Sequence, residues 1–252
     1  WLAAWEERAF EDSDEYHKIR LREPDEDELN LLPIFSAIHL VFPFPFLEEF
    51  APYVNFDTRL PPAERERFMA FYRRTMQRTL DHYGPGKHFL SKSPANSGRV
   101  DSLRETFPDA RFITTTRAPS EVLPSTMSLF SFQWGTFSDL LEDYPFGDYM
   151  VEMTRHLYEY PLRRLEQGPD GRMVVVTFGD LVGDLGQTIS DVYDGLGLDM
   201  GPRYPEALKA EVEKARRYES QHEYSLEEMG FTHERIKAEY QDVLDRFDFD
   251  RG

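Results

Sequence analysis

Cysteine is absent from the 252 residues. Disulfides and thiolate metal sites are therefore excluded, while the compartment stays open. Long apolar runs are absent too, and nothing reaches the roughly 18–20 residues of a membrane span. Positive charge is scarce: 29 Lys and Arg face 47 Asp and Glu, for a formal net charge of −18. A surface of that sign repels nucleic acid and anionic membranes alike. An anionic ligand must then be held by a few placed cations. Glycine arrives late, the first being Gly84. Residues 1–83 thus hold no glycine loop able to bring backbone N–H groups against a phosphate. Repeats, low-complexity tracts and Ser/Gly-rich linkers are lacking, which predicts one domain over 1–252. The chain starts at Trp1 without Met and without a basic-then-apolar leader. It is expected to be N-terminally incomplete.

What is present is a globular composition, 40% hydrophobic and 14% aromatic, with enough length for a real core. Residues 1–22 predict one or two helices. Glu23-Pro24-Asp25 reads as a stop and restart, with Asp25 to Glu28 on the first turn of a helix running to about Leu40. That acidic cluster reads as a solvated helix start instead of a metal site. Pro43 and Pro45 exclude regular helix over 42–50. Pro61-Pro62 opens the clearest helix, ending near Tyr83, with Phe68, Phe71, Tyr72, Thr75, Met76 and Thr79 at three- and four-residue spacing. Gly84-Pro85-Gly86 stops it.

His88 to Lys92 then predicts a short strand, and Ser97 to Phe107 an amphipathic helix. Ala110 to Thr116 predicts a second strand, and Pro119 opens a helix through about Phe130. Met173 to Thr177 is a third strand, followed by a helix from about Asp180 to Leu196. Pro205 to Phe247 is helical, broken around Glu223–Ser225 and at Gly230. Strand–helix–strand units with short connections make parallel sheets. The fold class is α/β, a three-layer α/β/α arrangement with a central parallel sheet and helix-rich additions.

Ligands of such sheets bind at the C-terminal ends of strands. Two ends carry polar residues. One is Ser91-Lys92-Ser93-Pro94. The other is Thr114-Thr115-Thr116-Arg117-Ala118-Pro119, with Ser125 one to two turns into the following helix. A guanidinium fork, a helix N-terminus and a hydroxyl converging there make an anion site. Arg117 is equally placed to pair with Glu121.

Residues 88–130 resemble the sulfotransferases that use 3′-phosphoadenosine 5′-phosphosulfate (PAPS). The Lys-Ser-Pro strand end, the helix, Phe-Pro-Asp-Ala-Arg-Phe-Ile, Arg-x-Pro, and a serine eight residues after the arginine carry the likeness. Residues 173–198 resemble a later strand and helix of that family, and 222–230 a C-terminal block of its bacterial members. The resemblance implies a P-loop NTPase-like fold and transfer of a sulfuryl group from PAPS, as co-substrate, to a hydroxyl of a small acceptor. No metal, nucleic-acid partner or membrane span is expected, and the protein is expected to be cytoplasmic. Arg117 and Ser125 match the pair that holds the 3′-phosphate. Lys92 matches the lysine at the transfer centre, where negative charge builds on the bridging oxygen. The family's glycine-containing loop for the 5′-phosphosulfate has no counterpart in 1–83, and Gly84-Pro85-Gly86-Lys87 precedes a predicted strand instead of coming after one. Either that loop lies upstream of Trp1 or it has been lost. In the second case the chain is a sulfotransferase-like binding or scaffold protein.

The acceptor hydroxyl needs a base. His39 is the first candidate, Asp57 and His88 are others, and a glutamate upstream of Trp1 is an equal alternative. The aromatic stretches 42–50 and 130–137 predict either a lipophilic acceptor pocket or core packing.

Overall fold

A computed structural model describes residues 26–137, 146–167, 171–217 and 226–249. Two strands form a parallel pair: β1 (Phe112–Thr116) and β2 (Met173–Thr177), in register from Phe112↔Met173 to Thr116↔Thr177. Both segments are rich in β-branched residues, which suit a pleated, half-buried surface. Their alignment brings Thr116 and Thr177, and so Arg117 and Phe178, to the same edge of the sheet.

The expected strand over His88–Lys92 is not formed; this stretch is irregular chain and is not paired with β1 or β2. The predicted α/β class holds, as a helix-rich chain around a small parallel sheet.

The helices are α1 (Leu47–Val54), α2 (Phe56–Arg59), α3 (Pro62–Tyr83), α4 (Val100–Thr106), α5 (Pro119–Phe137), α6 (Gly147–Gln167), α7 (Phe178–Gly183), α8 (Leu185–Gly195), α9 (Tyr204–Ala215) and α10 (His233–Phe247). Helix α3 has the predicted bounds. It buries Phe68, Tyr72 and Met76, and Gly84 ends it at φ 88°, a conformation glycine adopts without steric cost. Helix α5 starts at Pro119 as predicted and runs seven residues beyond Phe130. The helix predicted over 180–196 divides at Asp184, whose side chain caps α8. The predicted break at Gly230 is present, in the left-handed conformation.

Two expectations need correction. The helix expected from Asp25 to Leu40 is two 3₁₀ segments, Asp27–Ile34 and Ile38–Val41, separated at Phe35 with φ 53°. Pro33 removes a helical donor there. Helix α1 begins at Leu47, inside the stretch predicted to be non-helical, two residues after Pro45. The helices predicted in 1–22 and the break at 223–225 lie outside the described residues.

Three apolar clusters hold the fold. The largest joins α5, α6 and α10 through Leu123, Met127, Trp134, Met150, Tyr240 and Leu244. A second packs α3 and α2 on the first 3₁₀ segment through Leu31, Phe56, Phe68, Tyr72 and Met76. The third seats α8 on β2 through Val176, Val192 and Leu196. Gly98 allows the turn before α4 to pass against α1: a Cβ there would overlap the Val54 carbonyl oxygen.

Candidate active site

The carboxyl end of β1 delivers Arg117 just before α5. Its guanidinium lies over the Phe178 ring, 4.4 Å from the centroid. Nη2 pairs with Glu121 Oε1 at 2.9 Å, with both side chains exposed. Glu121 and Ser125 are i,i+4 neighbours on α5, and Arg117 lies two residues before that helix. Arg117 Nε and Thr116 Oγ1 are buried without a hydrogen-bond partner among the described residues. Behind them, the Tyr158 hydroxyl on α6 donates to the Arg117 carbonyl at 2.5 Å. Burial first, and Tyr240 second, push the Tyr158 phenol well above its usual range. It therefore stays protonated and keeps donating.

The second predicted strand end, Ser91-Lys92-Ser93, is held by an acidic segment far upstream in the chain. Lys92 Nζ donates to Glu26 Oε1. Asp27 Oδ2 accepts from the Tyr72 hydroxyl and from Ser91 Oγ at 2.8 Å. Asn96 Nδ2 also donates to Ser91 Oγ, at 2.8 Å. Glu28 takes Arg99 in a two-pronged pair at 2.7 and 3.2 Å, and the Ile38 amide donates to Glu28 Oε1 at 3.1 Å. The Arg99 guanidinium lies against the rings of Phe56 and Phe68, at 5.3 and 4.8 Å.

The solvated helix start predicted for 25–28 is therefore overturned at its centre. Asp27 is 7% exposed and Glu28 1%. The physical reason is pairing: a carboxylate leaves water when a guanidinium or hydroxyl donors replace it. Among the described residues, no group of three or more His, Cys, Asp or Glu is arranged to hold a metal ion.

The base candidates separate. Asp57 is occupied: its carboxylate accepts from the Asp101 and Ser102 amides at 2.8 and 3.2 Å and from the Ser102 hydroxyl. It thus caps α4 from another element, and Tyr160 also donates to it at 3.0 Å. His88 is exposed on the irregular stretch. His39 lies on the second 3₁₀ segment, edge-on to Phe42 at 5.8 Å. Its Nδ1 is buried without a partner among the described residues.

Helix α6 braces both Arg117 and Asp57, and it is not predicted from the sequence. Tyr158 reaches Arg117. Two residues on, Tyr160 reaches Asp57 and Asp101. The missed signal is the apolar spacing of Met150, Val151, Met153 and Leu157, all packed in the largest cluster. The aromatic stretches divide between the two predicted roles. Phe42, Phe130 and Trp134 stack edge to face inside the core, and Trp134 Nε1 donates to the Val41 carbonyl at 2.9 Å. Phe44 and Phe46 stack at 6.4 Å on the surface, and Phe132 and Phe137 are also exposed.

Comparison with known proteins fits this geometry. The profile of the Sulfotransferase family matches residues 48–202. Two mycobacterial relatives, the omega-hydroxy-beta-dihydromenaquinone-9 sulfotransferases Stf3 of Mycobacterium bovis and Mycobacterium tuberculosis, are 26% identical over 276 aligned positions. The alignment covers the whole of this chain and 64% of each relative. The crystal structure of sulfotransferase STF9 from Mycobacterium avium superposes with a TM-score of 0.77 at 20% identity, covering 98% of this chain and 63% of that one. That of STF1 from Mycobacterium tuberculosis H37Rv gives 0.51 at 22% identity, over 61% of this chain and 39% of that one. With the strand-end arginine, the matched profile and the shared fold in agreement, this chain belongs to the sulfotransferase family.

Proposed function

We propose that the protein transfers a sulfuryl group from PAPS to the hydroxyl of a lipophilic small molecule. The observation that carries this reading is Arg117 at the carboxyl end of β1, just before α5, the helix that carries Ser125, with a buried Nε lacking a partner among the described residues. A 3′-phosphate there accepts from the guanidinium, the Ser125 hydroxyl and the first N–H groups of α5, and gains from the positive end of the helix dipole. Lys92 balances the charge that develops on the bridging oxygen as sulfur leaves it. His39 is the histidine of the site in this reading.

The exposed Phe44–Phe46 stack supports a lipophilic acceptor. So do the names of the relatives, which describe sulfation of an omega-hydroxylated dihydromenaquinone. By that likeness the acceptor is a terminal hydroxyl on a long apolar chain. A second reading, nucleotide binding without transfer, draws on the pairing of both key cations with carboxylates, Lys92 with Glu26 and Arg117 with Glu121.

Calorimetric titration with 3′-phosphoadenosine 5′-phosphate (PAP) tests the site. Tight binding is expected, weakened by Arg117→Ala at least about tenfold, since a charge-assisted hydrogen bond contributes roughly 1.5–3 kcal/mol. Binding of equal strength in the variant sinks the assignment. PAP binding without any release of PAP from PAPS in the presence of an isoprenoid alcohol favours the second reading.

A further inference from the structure

The Glu121 contact of Arg117 is exposed and exchangeable, so it does not fix the anchor. We infer that Tyr158 is the positioning residue of that anchor: its phenol holds the Arg117 main chain so that the guanidinium meets the 3′-phosphate. This assignment rests on the sulfotransferase reading.

The hold is on the backbone. Arg117 sits between β1 and α5 and belongs to neither. Among the described residues no backbone N–H donates to its carbonyl, and a buried main-chain acceptor needs a donor. The Tyr158 hydroxyl supplies one at 2.5 Å, from 41 residues further along the chain. Burial keeps that hydroxyl protonated, so it donates. Its neighbour Tyr160 turns instead to Asp57 and Asp101.

Tyr158 is itself seated from beneath. Its ring meets that of Tyr240 edge-on, with centroids 6.2 Å apart. Tyr240 is 1% exposed. Its hydroxyl donates to the Val151 carbonyl at 3.0 Å and lies 2.7 Å from the Thr154 hydroxyl. Val151, Thr154 and Tyr158 follow at three- and four-residue spacing and so share one face of α6. Tyr240 meets that face from a non-helical position inside α10, with φ −120° and ψ 19°. The phenol that holds Arg117 is thus fixed by two helices.

The tip of Arg117 is held differently. The Phe178 ring lies against the guanidinium, and Glu121 pairs with Nη2 in the open. A fixed root with an exchangeable tip suits an anion that arrives and leaves. The side chain is already placed when the phosphate comes, so less ordering is left for binding to offset.

Calorimetric titration with PAP tests the assignment. Tyr158→Phe keeps the ring and its edge contact with Tyr240 but removes the donor. PAP affinity is expected to fall about three- to tenfold, the usual contribution of one hydrogen bond. Tyr240→Phe removes the other buried hydroxyl of this helix pair, one that makes no hydrogen bond to Arg117. It is expected to lower the melting temperature and to leave PAP affinity within about twofold. In an Arg117→Ala background, Tyr158→Phe is expected to change PAP affinity by less than about twofold, because the guanidinium it acts through is gone. Unchanged PAP affinity in Tyr158→Phe overturns the assignment. So does an equal loss in Tyr240→Phe, or a loss in the Arg117→Ala background as large as in the parent. Failure of the unsubstituted protein to bind PAP, or full binding by Arg117→Ala, overturns the 3′-phosphate reading instead.

Discussion

The two cation-bearing regions, around Lys92 and around Arg117, are built in opposite ways. Around Lys92 the protein ties residues 26–28 to residues 91–99 with a buried ion pair and a hydroxyl network, closed off by Phe56 and Phe68. Around Arg117 it offers one exposed i,i+4 ion pair, an aromatic face and a tyrosine bracing the backbone from behind. The first region is a rigid frame with a single flexible cation at its rim. The second holds its guanidinium by a contact worth about 0–1 kcal/mol, which under the proposed function an arriving phosphate would replace at little cost. The proposed transfer calls for both: a fixed place for the reacting groups and an exchangeable partner for the anchor.

The contrast predicts unequal effects of substitution. The largest belongs to the frame. Arg99→Ala leaves Glu28 buried and unpaired, and is expected to lower the unfolding free energy by about 3–5 kcal/mol in denaturant titration. A value near zero would mean that the pair does not organise the frame.

A smaller effect comes from His156 on α6, between the two regions. Burial, and then Arg163, lower its pKa. A histidine depressed in the folded state binds its proton more readily when unfolded. Its effect is absent well above the unfolded value of about 6.5, and stability is lost as pH falls below that value. The melting temperature is expected to drop over that range, and less steeply in His156→Gln. Identical slopes in the two proteins would show that His156 does not set the pH dependence.

The smallest effect belongs to the anchor. Glu121→Gln removes the carboxylate paired with Arg117, and if the proposed 3′-phosphate site is right, PAP affinity is expected to rise roughly two- to fivefold. A fall in affinity would mean that Glu121 orients Arg117 for the ligand.

The same contrast separates what is legible in the sequence from what is not. The Arg117 region is local: strand, arginine, proline and helix succeed one another within 14 residues, so period and turn chemistry disclose it. Helix α3 is legible for the same reason. The Lys92 region is assembled from segments 64 to 71 residues apart. Taken locally, Glu26-Asp27-Glu28 is a polar run at a helix start. Its burial becomes clear only once Arg99, Tyr72 and Ser91 are known to face it. The strand expected at 88–92 has the right composition, but a strand exists only by pairing. Helix α6 carries an interior Pro161, which obscures a pattern that Met150, Val151, Met153 and Leu157 otherwise show. Tyr158 and Tyr160, which tie it to Arg117 and to Asp57 and Asp101, are hidden with it.

At the anchor, the nucleotide's 3′-phosphate is expected to take over Arg117 from Glu121, and a crystal structure of the protein with PAP would decide the matter. Arg117 and Ser125 are expected within hydrogen-bond distance of that phosphate, about 2.7–3.2 Å, with the Arg117–Glu121 pair opened from its 2.9 Å contact. A bound nucleotide whose 3′-phosphate lies elsewhere, with that pair intact, would refute the exchange.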